Sequence, residues 1–149
     1  MGAYKGEIVN TAQATGKTLG TLAQPASALK RLKLTYLSLG SSASADNQNY
    51  AQLKRTTASN VSGAVVTPTQ ADAADGAASG LITAANTSEP TYSGGSLLSP
   101  TFHQRSSYQW YAQPGHEIVI PLTNNAGLGV FMNTMSATIA LDGLIEWEE

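Results

Sequence analysis

From Leu32 the chain alternates: Leu32, Leu34 and Tyr36 interleave with Lys33, Thr35 and Leu37. Period two predicts a strand, here closed by Gly40. "SSASADN" follows as a loop rich in turn-forming side chains. "YAQLKRTT" predicts a second strand, "ASNVSG" a turn, and "AVVT" a short third strand stopped by Pro68. Further short strands are predicted at "GLITAAN", "GSLLSPTF", "SSYQWYA", "HEIVIPL", "GVFMNT" and "SATIALDGLIEW". Gly-Gly, Pro-Gly and Asn-Asn-Ala-Gly punctuate them. Pro100, Pro114 and Pro121 bound several, as suits a residue with no ladder donor.

Two stretches break the pattern. "TPTQADAADGAASG" is the one helix candidate, one or two turns long, with Thr69 as cap and Gly76 as stop. Residues 10–28 are small and polar without a clear period, so residues 1–28 are expected to form an irregular N-terminal arm and residues 29–149 the folded domain. About eight short strands at a spacing of roughly 8–12 residues predict an all-β antiparallel sandwich or barrel with one short helix. No long helices alternate with the strands, which argues against a doubly wound α/β fold.

Composition narrows the function classes. The chain has 149 residues, enough for one domain with a real core. Cysteine is absent, which removes disulfides and thiolate chemistry. Charged residues are 12%, about half the usual share. Without clustered Lys and Arg, an extended nucleic-acid footprint is not expected. No apolar run reaches the ~20 residues that span a bilayer, so no membrane partner is expected. The start, "MGAYKGEIVN", has no apolar signal core. Charge is uneven: residues 1–74 hold seven basic and three acidic residues, and residues 75–149 hold one basic and seven acidic. Either the halves intermix in one fold, or a basic end meets an acidic surface on a neighbouring subunit.

The chemical motifs are weak. "NTAQATGKT" ends as a phosphate-binding loop does, at Gly16, Lys17 and Thr18. The first glycine of that motif is replaced by Thr11, and Gly20 and Pro25 follow too soon for the helix that would face the anion. His103 and His116 are the only histidines. Glu117 adjoins His116, but strand neighbours point to opposite faces. No Gly-x-Ser-x-Gly marks a nucleophile. Asp72 and Asp75 read as a solvated cap, and Glu146, Glu148 and Glu149 as a solvated acidic tail. The sequons at Asn60 and Asn86 read as chance matches in a Ser- and Asn-rich chain. No catalytic residue, cofactor or metal site is therefore expected. The most aromatic stretch, "SSYQWYAQPGHEIVIP", puts Tyr108 and Trp110 on one strand face and Gln109 and Tyr111 on the other. Its rings can pack the core, join a subunit contact, or stack on sugar rings.

From Leu32 to about residue 132, the order of pieces resembles the small decoration, or cement, proteins of tailed-bacteriophage capsids. The pieces are a first strand, "SSASADNQNYAQLKRTT", "VVTPTQADAADGAAS", "SEPTYSGGSLL" and "HQRSSYQWYAQPGHEIVIPLTNNAGLGV". The resemblance implies a jelly-roll-like β-sandwich at the capsid surface of a virion, a homotrimer that clamps major capsid protein subunits without chemical turnover. Residues 1–28 lie outside it. On that reading, the interface is expected near Lys30, Arg31 and Lys33 and near Tyr108, Trp110 and Tyr111. The alternative is a glycan-binding β-sandwich on a virion surface.

Overall fold

Period-two alternation begins well before Leu32. In the first ten residues Tyr4, Gly6 and Ile8 are buried, while Lys5, Glu7 and Val9 face outward. A computed structural model describes residues 1–27, 30–58, 63–86 and 88–149. Thirteen strands occur among the described residues. They are β1 (Ala3–Gln13), β2 (Lys17–Ala23), β3 (Leu32–Ser41), β4 (Gln48–Ala58), β5 (Ala64–Val66), β6 (Thr69–Gln70) and β7 (Leu81–Ala84). The chain continues through β8 (Thr91–Leu98), β9 (Thr101–His103), β10 (Tyr108–Tyr111), β11 (Ile118–Ile120), β12 (Gly127–Met135) and β13 (Ile139–Glu148).

The strands form two antiparallel sheets packed as a sandwich. Sheet A has the order β10-β3-β13-β1-β6, with β11 also on β3. Sheet B has the order β5-β7-β2-β12-β4-β8, with β9 also on β4. Four pairings nest like one long hairpin: β1 with β13, β2 with β12, β3 with β10 and β11, and β4 with β8. Alternate rungs fall in opposite sheets, so the hairpin rolls up on itself. This is jelly-roll order, which hides most strand edges inside the two sheets. The segment between β4 and β8 extends the other side, β7 pairing β2 and β6 pairing β1.

The inner faces supply one core. Leu32, Leu34, Leu37 and Leu39 of β3 meet Ile8, Leu19, Leu22, Ile82, Leu128, Met132, Leu141, Ile145 and Trp147 in a continuous buried cluster. The Trp147 ring stacks on Tyr4 at 5.9 Å. Each of the fully buried large side chains is worth roughly 1.5–3 kcal/mol of transfer free energy.

Three expectations are corrected. First, the arm expected over residues 1–28 contains two sheet strands: β1 lies between β13 and β6, and β2 between β12 and β7. The division at residue 28 therefore does not describe the fold. Alternation was hidden in β2 because its buried positions include Thr18, Gly20 and Thr21. The cost of burying Thr21 is met by a 2.7 Å hydrogen bond to Thr83 on β7. Second, no helix occurs among the described residues. Thr69 and Gln70 pair with β1, and Asp72 then turns the chain. The Asp72 carboxylate accepts the Ala74 amide at 2.9 Å, and its carbonyl accepts the Asp75 amide at 3.0 Å. Such a local bond offers the backbone an alternative to helix. The Tyr4 hydroxyl fastens this turn to β1 by donating to the Gly76 carbonyl at 2.9 Å. Third, the β3 alternation slips. A bulge opposite Glu146/Trp147 changes the register between Leu34 and Tyr36, turning Leu37 inward and Tyr36 to the outer face. Ala28 and Leu29, at the expected domain boundary, lie outside the described residues, as do residues 59–62 of the predicted "ASNVSG" turn with its Asn60 sequon. The other sequon residue, Asn86, is buried and accepts the Thr83 hydroxyl at 2.8 Å.

Candidate functional site

The broad exposed surfaces of a jelly roll are its two outer sheet faces and the loops at its ends. On sheet A, cross-strand register sets the outer residues in rows. Lys5, Glu146, Tyr36 and Tyr111 form one row, and Glu7, Leu144, Ser38 and Gln109 the next. The strands of this sheet carry two basic residues, Lys5 and Lys33, against four acidic ones, Glu7, Asp142, Glu146 and Glu148. Lys5 and Glu7 approach to 3.6 Å, an exposed pair worth little to stability.

All six residues expected at an interface come to one edge of this sheet, where β3 pairs with β10 and β11. Lys30 and Arg31 are exposed on the segment leading into β3, and Lys33 stands opposite Val119. The Glu117 carboxyl is held low by the Gly115 amide, which donates to it at 3.0 Å, and by its own amide, with help from Lys33 and His116. The aromatic stretch divides as alternation requires. Tyr108 and Trp110 pack against the core, opposite Leu39 and Leu37. Tyr111 points out, 67% exposed, with its ring 4.4 Å from that of Tyr36. Its hydrogen bond with Tyr36 is the leading cause of a raised phenol pKa. Tyr108 and Trp110 are partly buried on the inward side of the strand, which leaves Tyr111 as the exposed ring of this stretch.

Sheet B is built differently. Its strands carry Lys17, Lys54 and Arg55 and no acidic residue, but Arg55 turns inward and donates to the Val119 carbonyl at 2.9 Å, and Glu89, just before β8, reaches the outer face. Tyr92, on β8, lies across the sheet over Gly129 of β12; a Cβ there would sit 2.7 Å from the Tyr92 hydroxyl. The reach brings that hydroxyl to Thr18 of β2, at 2.6 Å. Thr18 donates in turn to the Glu89 carboxylate, whose other oxygen accepts the Thr18 amide at 3.3 Å. Phe131 meets Tyr92 edge-on at 5.5 Å, and Lys54 Nζ lies 5.1 Å and 5.7 Å from the Phe131 and Tyr92 ring centres. Burial pushes the Tyr92 phenol up to about 12, with the nearby Glu89 charge adding to it and the Thr18 hydrogen bond working against it. No local pattern marks this cluster, because its members come from four distant segments and only Gly129 hints at a close approach.

The remaining motifs are structural. Gly16, with φ +80°, turns the corner between the sheets. Its amide donates to the Met132 carbonyl at 2.8 Å and the Lys17 amide to Ala14 at 3.2 Å. Amides already bonded in this way cannot cradle a phosphate. His103 ends β9 and His116 lies in the turn before β11; both are exposed and on different loops. Glu149 corrects the solvated-tail expectation. It is buried, and its carboxylate accepts the Gly80 amide at 2.8 Å, the Ser79 hydroxyl at 2.7 Å and amide at 2.9 Å, and the Trp147 indole at 3.1 Å. Burial alone would raise its pKa, but these donors outweigh burial and hold it below the usual range.

Compared with protein-family models, with curated proteins and with solved structures, the chain matches none.

Proposed function

We propose that the chain is a virion structural protein, a capsid decoration or cement protein that binds a bacteriophage shell and stabilises contacts between its coat subunits. One observation carries the reading: the nested pairing makes a rigid slab with two broad outer faces, and the strands of one carry an acidic excess. Double-sheet jelly rolls are common among viral capsid domains, although a fold alone fixes no function. Such an acidic face meets basic residues on a neighbour, and charge complementarity of that kind sets register and suppresses wrong partners. The partner in this reading is the major capsid protein, and the assembly on the shell is a homotrimer whose weak contacts add through avidity.

Because β1 and β2 belong to the sheets, these residues do not serve as a gripping arm. The grip falls to the outer faces and to the β3–β10–β11 edge, where Lys30, Arg31, Lys33 and Tyr111 are presented. The test is co-sedimentation of the full chain with expanded coat-protein shells of the phage that encodes it. The reading expects saturable binding that weakens with salt. Protein that stays in the supernatant at every salt concentration would rule it out.

A further inference from the structure

The far end of sheet B carries a cleft that neither the capsid reading nor the Tyr92 cluster uses. There β4 pairs with β9 in place of β8. The register sets Gln48 opposite His103 and Tyr50 opposite Thr101, and on the other side Thr134 opposite Tyr50. Cross-strand partners share a face, so these five side chains surround one cleft of about 390 Å³. A second cleft of about 380 Å³ shares Gln48 and His103 as its wall and runs on to Asp46, Arg105 and Ser136. Together they make a groove with two lobes.

The chemistry of the first lobe is specific. Its lining holds two amides, a phenol, two threonine hydroxyls, an imidazole and the Phe102 ring, with no carboxylate and no ammonium. Such a lining has nothing to select an ion, and a few converging polar groups beside an aromatic ring suit a neutral ligand with many hydroxyls. Two of the groups are already aimed. His103 Nδ1 accepts the Arg105 amide at 3.1 Å, which leaves the proton of the neutral ring on Nε2 as a donor. The Tyr50 oxygen is fixed by the Gln52 side-chain amide, which it accepts at 3.1 Å, and by a hydrogen bond with the Ser99 hydroxyl. The outer lobe is braced: Arg105 and Asp46 pair at 3.3 Å, and the Gln104 side chain accepts the Asn47 amide at 3.0 Å.

We infer that this groove binds a neutral oligosaccharide, one ring between Tyr50 and His103 and the next toward Asp46 and Arg105. The inference stands apart from the capsid reading, and its test needs no shell. The full chain is titrated with maltotriose, chitotriose and mannotriose, each up to ~10 mM, and backbone amide NMR shifts are followed. At least one sugar is expected to shift residues 48–50 and 101–105 with a Kd near ~1 mM, while inorganic phosphate shifts none of them. Tyr50→Ala and His103→Ala, each checked for an unchanged fold by thermal melting, should weaken binding about tenfold or more. Gln48→Ala serves in place of either variant that fails to fold. Tyr111→Ala should change nothing. The inference is overturned if no sugar shifts these residues, if the variants bind as well as the parent, or if the shifts gather at Tyr111.

Discussion

The two outer faces obey the same alternation yet are different kinds of surface. On sheet A, Lys5 and Glu146 share one row while Glu7 and Glu148 stand in others, each at least partly exposed and weakly coupled to its neighbours. On sheet B, glycine at position 129 lets Tyr92 lie flat, and the ring gathers Thr18, Lys54, Glu89 and Phe131 into a small outer core. The difference teaches that a missing Cβ can turn an exposed face into a packed one. Sheet A can then exchange side chains with little effect on folding, whereas sheet B combines surface and stability in the same residues.

The largest change would come from removing what both faces share. Deleting residues 1–23 takes an inner strand from each sheet, and we expect loss of cooperative melting by circular dichroism. A truncated chain that still melts in one sharp transition would restore the idea of an arm.

Next is Glu149, an acid that belongs to the core and not to the acidic face. Glu149→Ala strands the Ser79 and Gly80 amides and the Trp147 indole, with an expected cost of roughly 2–4 kcal/mol in urea unfolding; Glu149→Gln should cost about half that. The carboxyl is held below its ordinary value of 4.5. Its contribution is therefore complete above that value and fades as pH falls through and below it. The parent should lose stability on acidification from about pH 5 to about pH 3, and Glu149→Gln should lose less over the same interval.

Smaller again are changes in the Tyr92 cluster. Gly129→Ala should cost roughly 1–3 kcal/mol by pushing the ring off the sheet, and Tyr92→Phe about 1 kcal/mol. The raised Tyr92 pKa favours the neutral phenol in the folded state. That stability is complete below the ordinary value of 10.0 and is lost as pH rises toward about 12. An ultraviolet titration should show a late-ionising tyrosine that disappears in Tyr92→Phe.

The smallest stability effect belongs to sheet A. Glu7→Gln with Glu146→Gln should leave the melting temperature unchanged while altering the salt dependence of shell binding. A clear loss of stability in that double variant would erase the distinction between the faces.

Much of the fold was legible in the chain, because alternation and proline-bounded turns are local signals. Leu32, Leu34, Trp147 and the Tyr108–Tyr111 strand all lie in strands that the pattern marks. What was lost depended on distant partners. The buried threonines of β2 read as polar until Thr83 satisfies Thr21, and Asp72 reads as a helix residue until its side chain closes a turn. The slip in β3, which sends Tyr36 to meet Tyr111, comes from a bulge set by β13. Of the expected interface residues, Lys30, Arg31, Lys33 and Tyr111 do reach one exposed edge, whereas Tyr108 and Trp110 serve the core. The Tyr92 cluster and the Tyr50–His103 groove had no sequence signal, since each is assembled across strands by register.

The central claim is that the slab strengthens a shell by binding its surface. Scanning calorimetry of expanded coat-protein shells, with and without the full chain at saturation, tests it most directly. The account predicts a higher shell melting transition that rises with occupancy. A transition that stays in place while the chain is bound would contradict it.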